Sequence, residues 1–193
     1  MSIKCVIGID QSYTRTGYAV AIDNKIVEYG SLDFYGKETH IVKRLRLKLL
    51  VDRLITKYRN YSDELFIITE RDNSKHRLVI KNSAELTCVI VDKAINYDIN
   101  VYSVVASAWK SKIIPKKYGK PDDYKDERKP NKMPQIMFCE KSLGIDLKEY
   151  NKNNEIRLDK SGRIYYNDDV ADAICIALYG FIDEKLQKLQ KEV

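Results

Sequence analysis

No apolar run in this chain approaches the roughly 18–20 residues that a membrane-spanning helix needs, and the N-terminus carries no secretory-signal pattern. No membrane partner is expected, and the expected location is the cytoplasm. Cysteine is sparse. Cys5, Cys88, Cys139 and Cys175 have neither metal-ligand spacing nor the framework of a secreted domain. Each lies in an apolar stretch and reads as a buried, reduced thiol of an intracellular protein. The two histidines offer little chemistry: His40 stands near a helix start with no functional case, and His76 reads as a surface-loop residue, with contact to DNA as the alternative. Proline is confined to one region, with Pro115, Pro121, Pro130 and Pro134 holding the full complement. Internal repeats are absent.

What remains is a chain of 193 residues, 44% hydrophobic, long enough for a single domain over residues 1–193 with a real core. The formal net charge is +6. Its placement says more than its size. Lys110 to Lys132 holds nine basic residues against four acidic ones, and Arg71 to Lys81 holds four against Asp72 alone. Charge gathered into two segments is the footprint expected for phosphates, with Arg71, Lys75, Arg77, Lys116 and Lys117 as candidate DNA contacts. Solvated lysine-rich loops are the plain alternative.

Hydropathy patterning predicts strands at Ile3–Ile9, Gly17–Ile22 and Lys25–Phe34, the last two joined by an Asp23-Asn24 corner. Residues 40–59 form a helix whose apolar stripe is read as Ile41, Leu45, Leu49, Leu54, Ile55 and Tyr58. A strand at Glu64–Thr69 follows, then a helix at about Ser83–Tyr97. That helix is apolar on two sides, through Ala84, Cys88, Val91 and Ile95 and through Leu86, Val89, Ile90 and Ala94. One side suits a core and the other a subunit interface; a fully internal helix is the alternative. Next come a strand at Ile99–Val105, a short helix with Trp109 and Lys110, and a basic loop insertion at about 111–134. A loop that long suggests function or mobility. A helix near Gln135–Ser142, a hairpin insertion at about 155–166 and a long helix from about Asp169 to Lys191 complete the order. The class is α/β, with one mixed five-stranded sheet flanked by helices.

The candidate chemistry lies in acids at particular positions. Asp10 ends the first strand and Glu70 the fourth, and neighbouring strands that end at one sheet edge bring such residues together. Asp169 and Asp172, three residues apart, share one face of the last helix; periodicity equally allows Asp168 with Asp172. Four clustered carboxylates repel one another unless a cation neutralises them. Hard oxygen ligands of this kind suit Mg²⁺, with Mn²⁺ able to substitute. Two such ions roughly 4 Å apart form a clamp for phosphodiester hydrolysis, one activating water and the other stabilising the leaving 3′ oxygen, to give a 5′-phosphate. Taken singly, each acid has a duller role: a turn former at Asp10, a local arginine partner at Glu70, and helix capping at Asp168, Asp169 and Asp172.

The run from Val6 to Val20, with Gly8, Asp10, Ser12, Thr16 and Gly17, resembles the opening signature of the RuvC-type Holliday-junction resolvases, particularly their phage-encoded branch. Ile67-Ile68-Thr69-Glu70 resembles that family's strand-ending glutamate. Asp169-Val170-Ala171-Asp172-Ala173 resembles its closing D-x-x-D-A, which selects Asp169 over Asp168. The resemblance implies an RNase H-like fold, with Asp10, Glu70, Asp169 and Asp172 as catalytic metal ligands. It also implies a homodimer that binds a four-way junction and nicks two symmetry-related strands. Lys110 and Lys132 are similar in position to basic residues that contact phosphates. The segment after Glu70 lacks the aromatic wedge such relatives can carry, so preference for branched structure is expected ahead of sequence selectivity. The insertions at 111–134 and 155–166 depart from compact members.

Three other readings stand beside this one. A junction-binding module that does not cut would have no need of four acids. The Gly-Ile-Asp…Thr-Gly opening is also similar to actin-like and sugar-kinase ATPases, but those need two such domains and this chain supplies one; no nucleotide cofactor is expected. A hybrid nuclease of the RNase H type usually takes its glutamate from the first helix, and residues 40–59 contain none.

Overall fold

The computed structural model describes residues 2–71 and 76–183. Its core is a five-stranded sheet made of β1 (Lys4–Asp10), β2 (Arg15–Ile22), β3 (Lys25–Asp33), β4 (Glu64–Arg71) and β5 (Asn100–Val105), in the order β3-β2-β1-β4-β5. The first three strands form an antiparallel meander, and β4 and β5 add in parallel to β1. The β2–β3 corner falls at Asp23 and Asn24, both with positive φ (46° and 64°), a conformation that short polar side chains tolerate. The mixed sheet with helices on its faces is the architecture expected from the patterning.

Alternation along the central strands loads both faces. Cys5, Ile7, Ile9, Val20 and Ile67 pack with α1 (His40–Tyr58) and α2 (Arg77–Ile95). Val6, Phe66 and Ile68 face the other way, with α3 (Ala106–Ile113), α4 (Met133–Leu143) and α5 (Asp168–Tyr179). Helix α5 is buried along most of its length and packs on β1 and β2 through glycine. A Cβ on Gly8 would lie 2.4 Å from the Ala173 carbonyl oxygen, and one on Gly17 would lie 2.0 Å from that of Asp169. The glycines of the opening segment are therefore what lets the last helix lie against β1, which ends at Asp10, and against β2.

Several expectations need correction. In α1, Ile41, Leu45 and Leu49 face solvent, Leu49 being 60% exposed; the buried stripe is Leu47, Val51, Leu54, Ile55 and Tyr58. The step from Leu49 to Leu54 is five residues, which rotates about 140° around a helix and leaves the face. Helix α2 starts at Arg77, six residues before the expected Ser83, because Leu78, Val79 and Ile80 are exposed and add no periodic signal. Its two apolar sides differ: Leu86, Ile90 and Ala94 are buried, whereas Ala84, Cys88 and Ile95 are exposed. Cys88 is thus not a core thiol, unlike Cys5, Cys139 and Cys175.

The segment expected as an open loop at 111–134 is ordered by three 3-10 turns, at Lys116–Tyr118, Pro121–Tyr124 and Pro130–Lys132. Tyr118 is buried against Phe138, and Tyr124 donates its hydroxyl to the Tyr118 carbonyl at 2.7 Å. The hairpin is longer than expected. Isolated bridges Lys148–Tyr166, Tyr150–Ile156 and Leu158–Ile164 make a double-turn meander over 148–166. Helix α5 ends at Tyr179; the part of the expected helix beyond residue 183 lies outside the described residues.

Candidate active site

Ile9 pairs with Thr69 in parallel register, so Asp10 and Glu70 follow side by side at the end of two adjacent strands. Strand alternation puts Asp10 on the face of Val6 and Gly8, and Glu70 on the face of Phe66 and Ile68, both toward α5. Asp10 lies opposite Gly17, where α5 makes its closest approach, and the first turns of α5 bring Asp169 and Asp172 to the same edge. Asn167 caps the helix, its side-chain oxygen accepting from the Val170 amide at 3.3 Å.

The four acids act on one another. Burial raises the pKa of Asp10 well above the ordinary carboxylate range. The charges of Asp172, Glu70 and Asp169 raise it further, and Lys132 opposes them. Burial and the charge of Asp172 raise Glu70, against the Trp109 hydrogen bond and the charges of Lys132 and Lys110. Asp169 is pushed up to about 6 by burial and by Asp168, with Lys132, Lys129 and Arg15 opposing. This is the electrostatic signature of like charges held together at a site.

Basic and neutral donors organise the cluster. Lys132 forms an ion pair with Asp172 and reaches Asp168 at 4.0 Å. Burial alone would lower the lysine's pKa, but Asp172, Asp10 and Asp168 outweigh it and raise it. Gln135 Nε2 donates to the other Asp172 oxygen at 2.9 Å, so both oxygens of this carboxylate, which is 1% exposed, are engaged. Trp109, fully buried, donates from Nε1 to Glu70 Oε2 at 3.0 Å. Gln11 Nε2 donates to the Glu70 carbonyl (2.6 Å), Thr87 (3.1 Å) and Ser83 (3.3 Å), joining β1, β4 and α2 below the acids. Asp168 is held by Lys129 Nζ at 2.7 and 2.9 Å through both its oxygens, and it is Asp169 whose charge Asp10 feels.

The structure thus brings Asp10, Glu70, Asp169 and Asp172 together with Lys132. Lys110 is near enough to act on Glu70 and lies 5.1 Å from the Trp109 ring. Arg71 follows Glu70 directly and is exposed, and Arg77 opens α2. Lys116 and Lys117 lie on the first 3-10 turn and have no contact with the acids among the described residues; Lys117 sits over Tyr118 at 5.1 Å. Lys75 lies outside the described residues. Gln11, Trp109, Lys129 and Gln135 were missed as site residues. Their only signals were adjacency to Asp10 and Lys110, and the three-residue steps from Lys129 to Lys132 to Gln135.

As donors, four carboxylates at one edge have the hard-oxygen chemistry that fits Mg²⁺ or Mn²⁺. Among the described residues, however, no group of three or more His, Cys, Asp or Glu side chains is closed up as an ion cage in this conformation.

No family model matches the sequence, and no curated protein matches it. Solved structures do. RuvC of T. thermophilus in complex with Holliday junction substrate superposes with a TM-score of 0.63 at 13% identity, covering 95% of this chain and 96% of that one. The Thermus thermophilus RuvC structure gives 0.62 at 14% identity over the same shares. The fold is RNase H-like. The yeast mitochondrial Holliday junction resolvase Ydc2 is a looser match, with a TM-score of 0.49 at 13% identity, covering 97% of this chain and 84% of that one. The match spans nearly the whole of both RuvC chains.

Proposed function

We propose that this protein is a metal-dependent, structure-selective endonuclease of the RuvC type, acting as a homodimer on four-way junctions and other branched DNA and leaving 5′-phosphates by paired nicks. The observation that carries this reading is the convergence of Asp10, Glu70, Asp169 and Asp172 at one sheet edge of an RNase H-like fold, with burial and mutual repulsion raising the pKa of Asp10 and Glu70. The full-length likeness to RuvC structures, one of them bound to Holliday junction substrate, supports the choice of substrate.

In this reading the four carboxylates would hold Mg²⁺ or Mn²⁺, which supplies an activated water and charge stabilisation at the leaving 3′ oxygen. The chain's own residues do the rest. Trp109 and Gln11 fix Glu70 and its strand end, and Gln135 orients Asp172. Lys132, paired with Asp172, holds the acids together as a cation, and in this reading it would also meet a phosphate. The outward stripe of α2, with Ile80, Ala84, Cys88 and Ile95, is the surface proposed to pair two copies; Ile95→Glu is expected to yield monomers in sedimentation.

A second reading has its own observation. Lys132 and Gln135 already engage both oxygens of Asp172, an arrangement that would also suit a junction-binding module that does not cut. One experiment separates them: wild-type protein with labelled four-way junction, linear duplex and RNA–DNA hybrid, in Mg²⁺ or EDTA. Nicks confined to the junction and to Mg²⁺ support the nuclease. Binding without nicks in Mg²⁺ or Mn²⁺ supports the module, and hybrid cleavage overturns the substrate assignment.

A further inference from the structure

Beside Asp168 and Asp169 the surface opens into a groove of about 500 Å³ between the β2–β3 side of the sheet and the segments 111–134 and 148–166. One wall carries Tyr35, which is 69% exposed. The other carries Tyr165, from the 148–166 meander, with the Arg128 guanidinium 3.8 Å and the Arg157 guanidinium 4.2 Å from its ring centroid. The remaining cations of the groove are committed. Arg157 donates to Glu149 at 2.7 Å, Arg15 pairs with Glu149 and Asp33, and Lys129 is held by Asp168. Arg128 is exposed, stacked on an aromatic face, and has no ion pair among the described residues.

A stacked guanidinium keeps its planar fork of N–H donors at the ring edge, pre-set for bidentate phosphate recognition. An exposed tyrosine across the groove offers a face on which an unpaired base stacks. From this geometry we infer that the groove is a nucleotide subsite contiguous with the acid cluster. It takes the single strand leading from the scissile phosphate, with Arg128 gripping a backbone phosphate and Tyr35 stacking a base. The inference rests on the nuclease reading and extends it to Arg128, Tyr165 and Tyr35, which lie outside the acid cluster. Such a subsite favours DNA whose strands part near the cut, since a base in intact duplex cannot leave its stack without cost.

The test is equilibrium binding of a fluorescent four-way junction, and of a matched linear duplex, in EDTA over a series of salt concentrations. Wild type is compared with Arg128→Ala, Arg128→Lys, Tyr35→Ala and, as control, Arg59→Ala, at the opposite end of β4. Arg128→Ala is expected to weaken binding about tenfold and to lower the salt slope by about one. Arg128→Lys should restore the slope but not the affinity. Tyr35→Ala should weaken binding about fivefold with the slope unchanged, and Arg59→Ala should match wild type. If wild type binds and the Arg128 and Tyr35 variants bind equally well, the subsite is overturned and the nuclease reading stands. If wild type does not distinguish junction from duplex at all, both are overturned.

Discussion

Gly17→Ala tests the packing that assembles the acid cluster. A methyl there would lie 2.0 Å from the Asp169 carbonyl oxygen and 2.8 Å from the Val170 amide nitrogen, whereas ordinary contacts begin above 3 Å. The N-terminus of α5 must therefore move off β2 by about 1 Å, carrying Asp169 and Asp172 away from Asp10. Overpacking of this kind costs about 1–3 kcal/mol, partly offset by the roughly 0.5–1 kcal/mol that alanine gains over glycine in a strand. The net loss of about 0–2.5 kcal/mol lowers Tm by up to roughly 10 °C in a chain of this size. Activity should suffer more than stability, because a misplacement of about 1 Å at reacting groups costs on the order of 100-fold in rate. The assay is urea denaturation alongside single-turnover junction cleavage, with Gly36→Ala as control, since nothing lies within 4 Å of a Cβ at Gly36. A Gly17→Ala protein as stable and as active as Gly36→Ala would refute the reasoning.

Leu47 is fully buried on α1 while Leu49 is 60% exposed; Leu47→Ala should cost about 2–5 kcal/mol and Leu49→Ala less than about 0.5, measured by denaturant midpoint. With Asp169 pushed up to about 6 from an ordinary 3.8, the native state binds a proton that the unfolded chain has released. Without metal, stability should therefore fall as pH rises from about 4 to 6. Asp169→Asn should raise stability near pH 7.5 by about 1–2 kcal/mol, after discounting for solvent and the lost helix-terminal charge, and the gain should vanish below pH 4. A gain that does not depend on pH would contradict that electrostatic origin. Native protein should react at one thiol with a water-soluble reagent, Cys88, leaving Cys5, Cys139 and Cys175 protected; Cys88→Ser should abolish the fast phase.

The strands, their hairpin corner and the positions of Asp10 and Glu70 were legible because each rests on short-range patterning: alternation, a turn dipeptide and a strand that stops. Asp169 and Asp172 were legible by helical spacing, although choosing Asp169 over Asp168 took the resemblance; here Lys129 occupies Asp168. The stripe of α1 was misread because the helix has more apolar positions than its buried face accepts. The cause lies in tertiary placement, which leaves Ile41, Leu45 and Leu49 outside the core. The supporting donors could not be read. Gln135 meets Asp172 across 37 residues and Trp109 meets Glu70 across 39, distances over which no periodicity runs. Nor did composition show that the proline-bearing segment would order itself through Tyr118 and Tyr124 and deliver Arg128 to a groove.

The central claim, that the four carboxylates form a nuclease centre, is tested most directly by single-turnover cleavage of a synthetic four-way junction in Mg²⁺ by wild type, Asp10→Asn and Asp172→Asn, with binding measured in parallel. The account predicts symmetric nicks from wild type and a loss of at least about 100-fold in both variants, with junction affinity kept within a few-fold. Cleavage by the variants at the wild-type rate would contradict it.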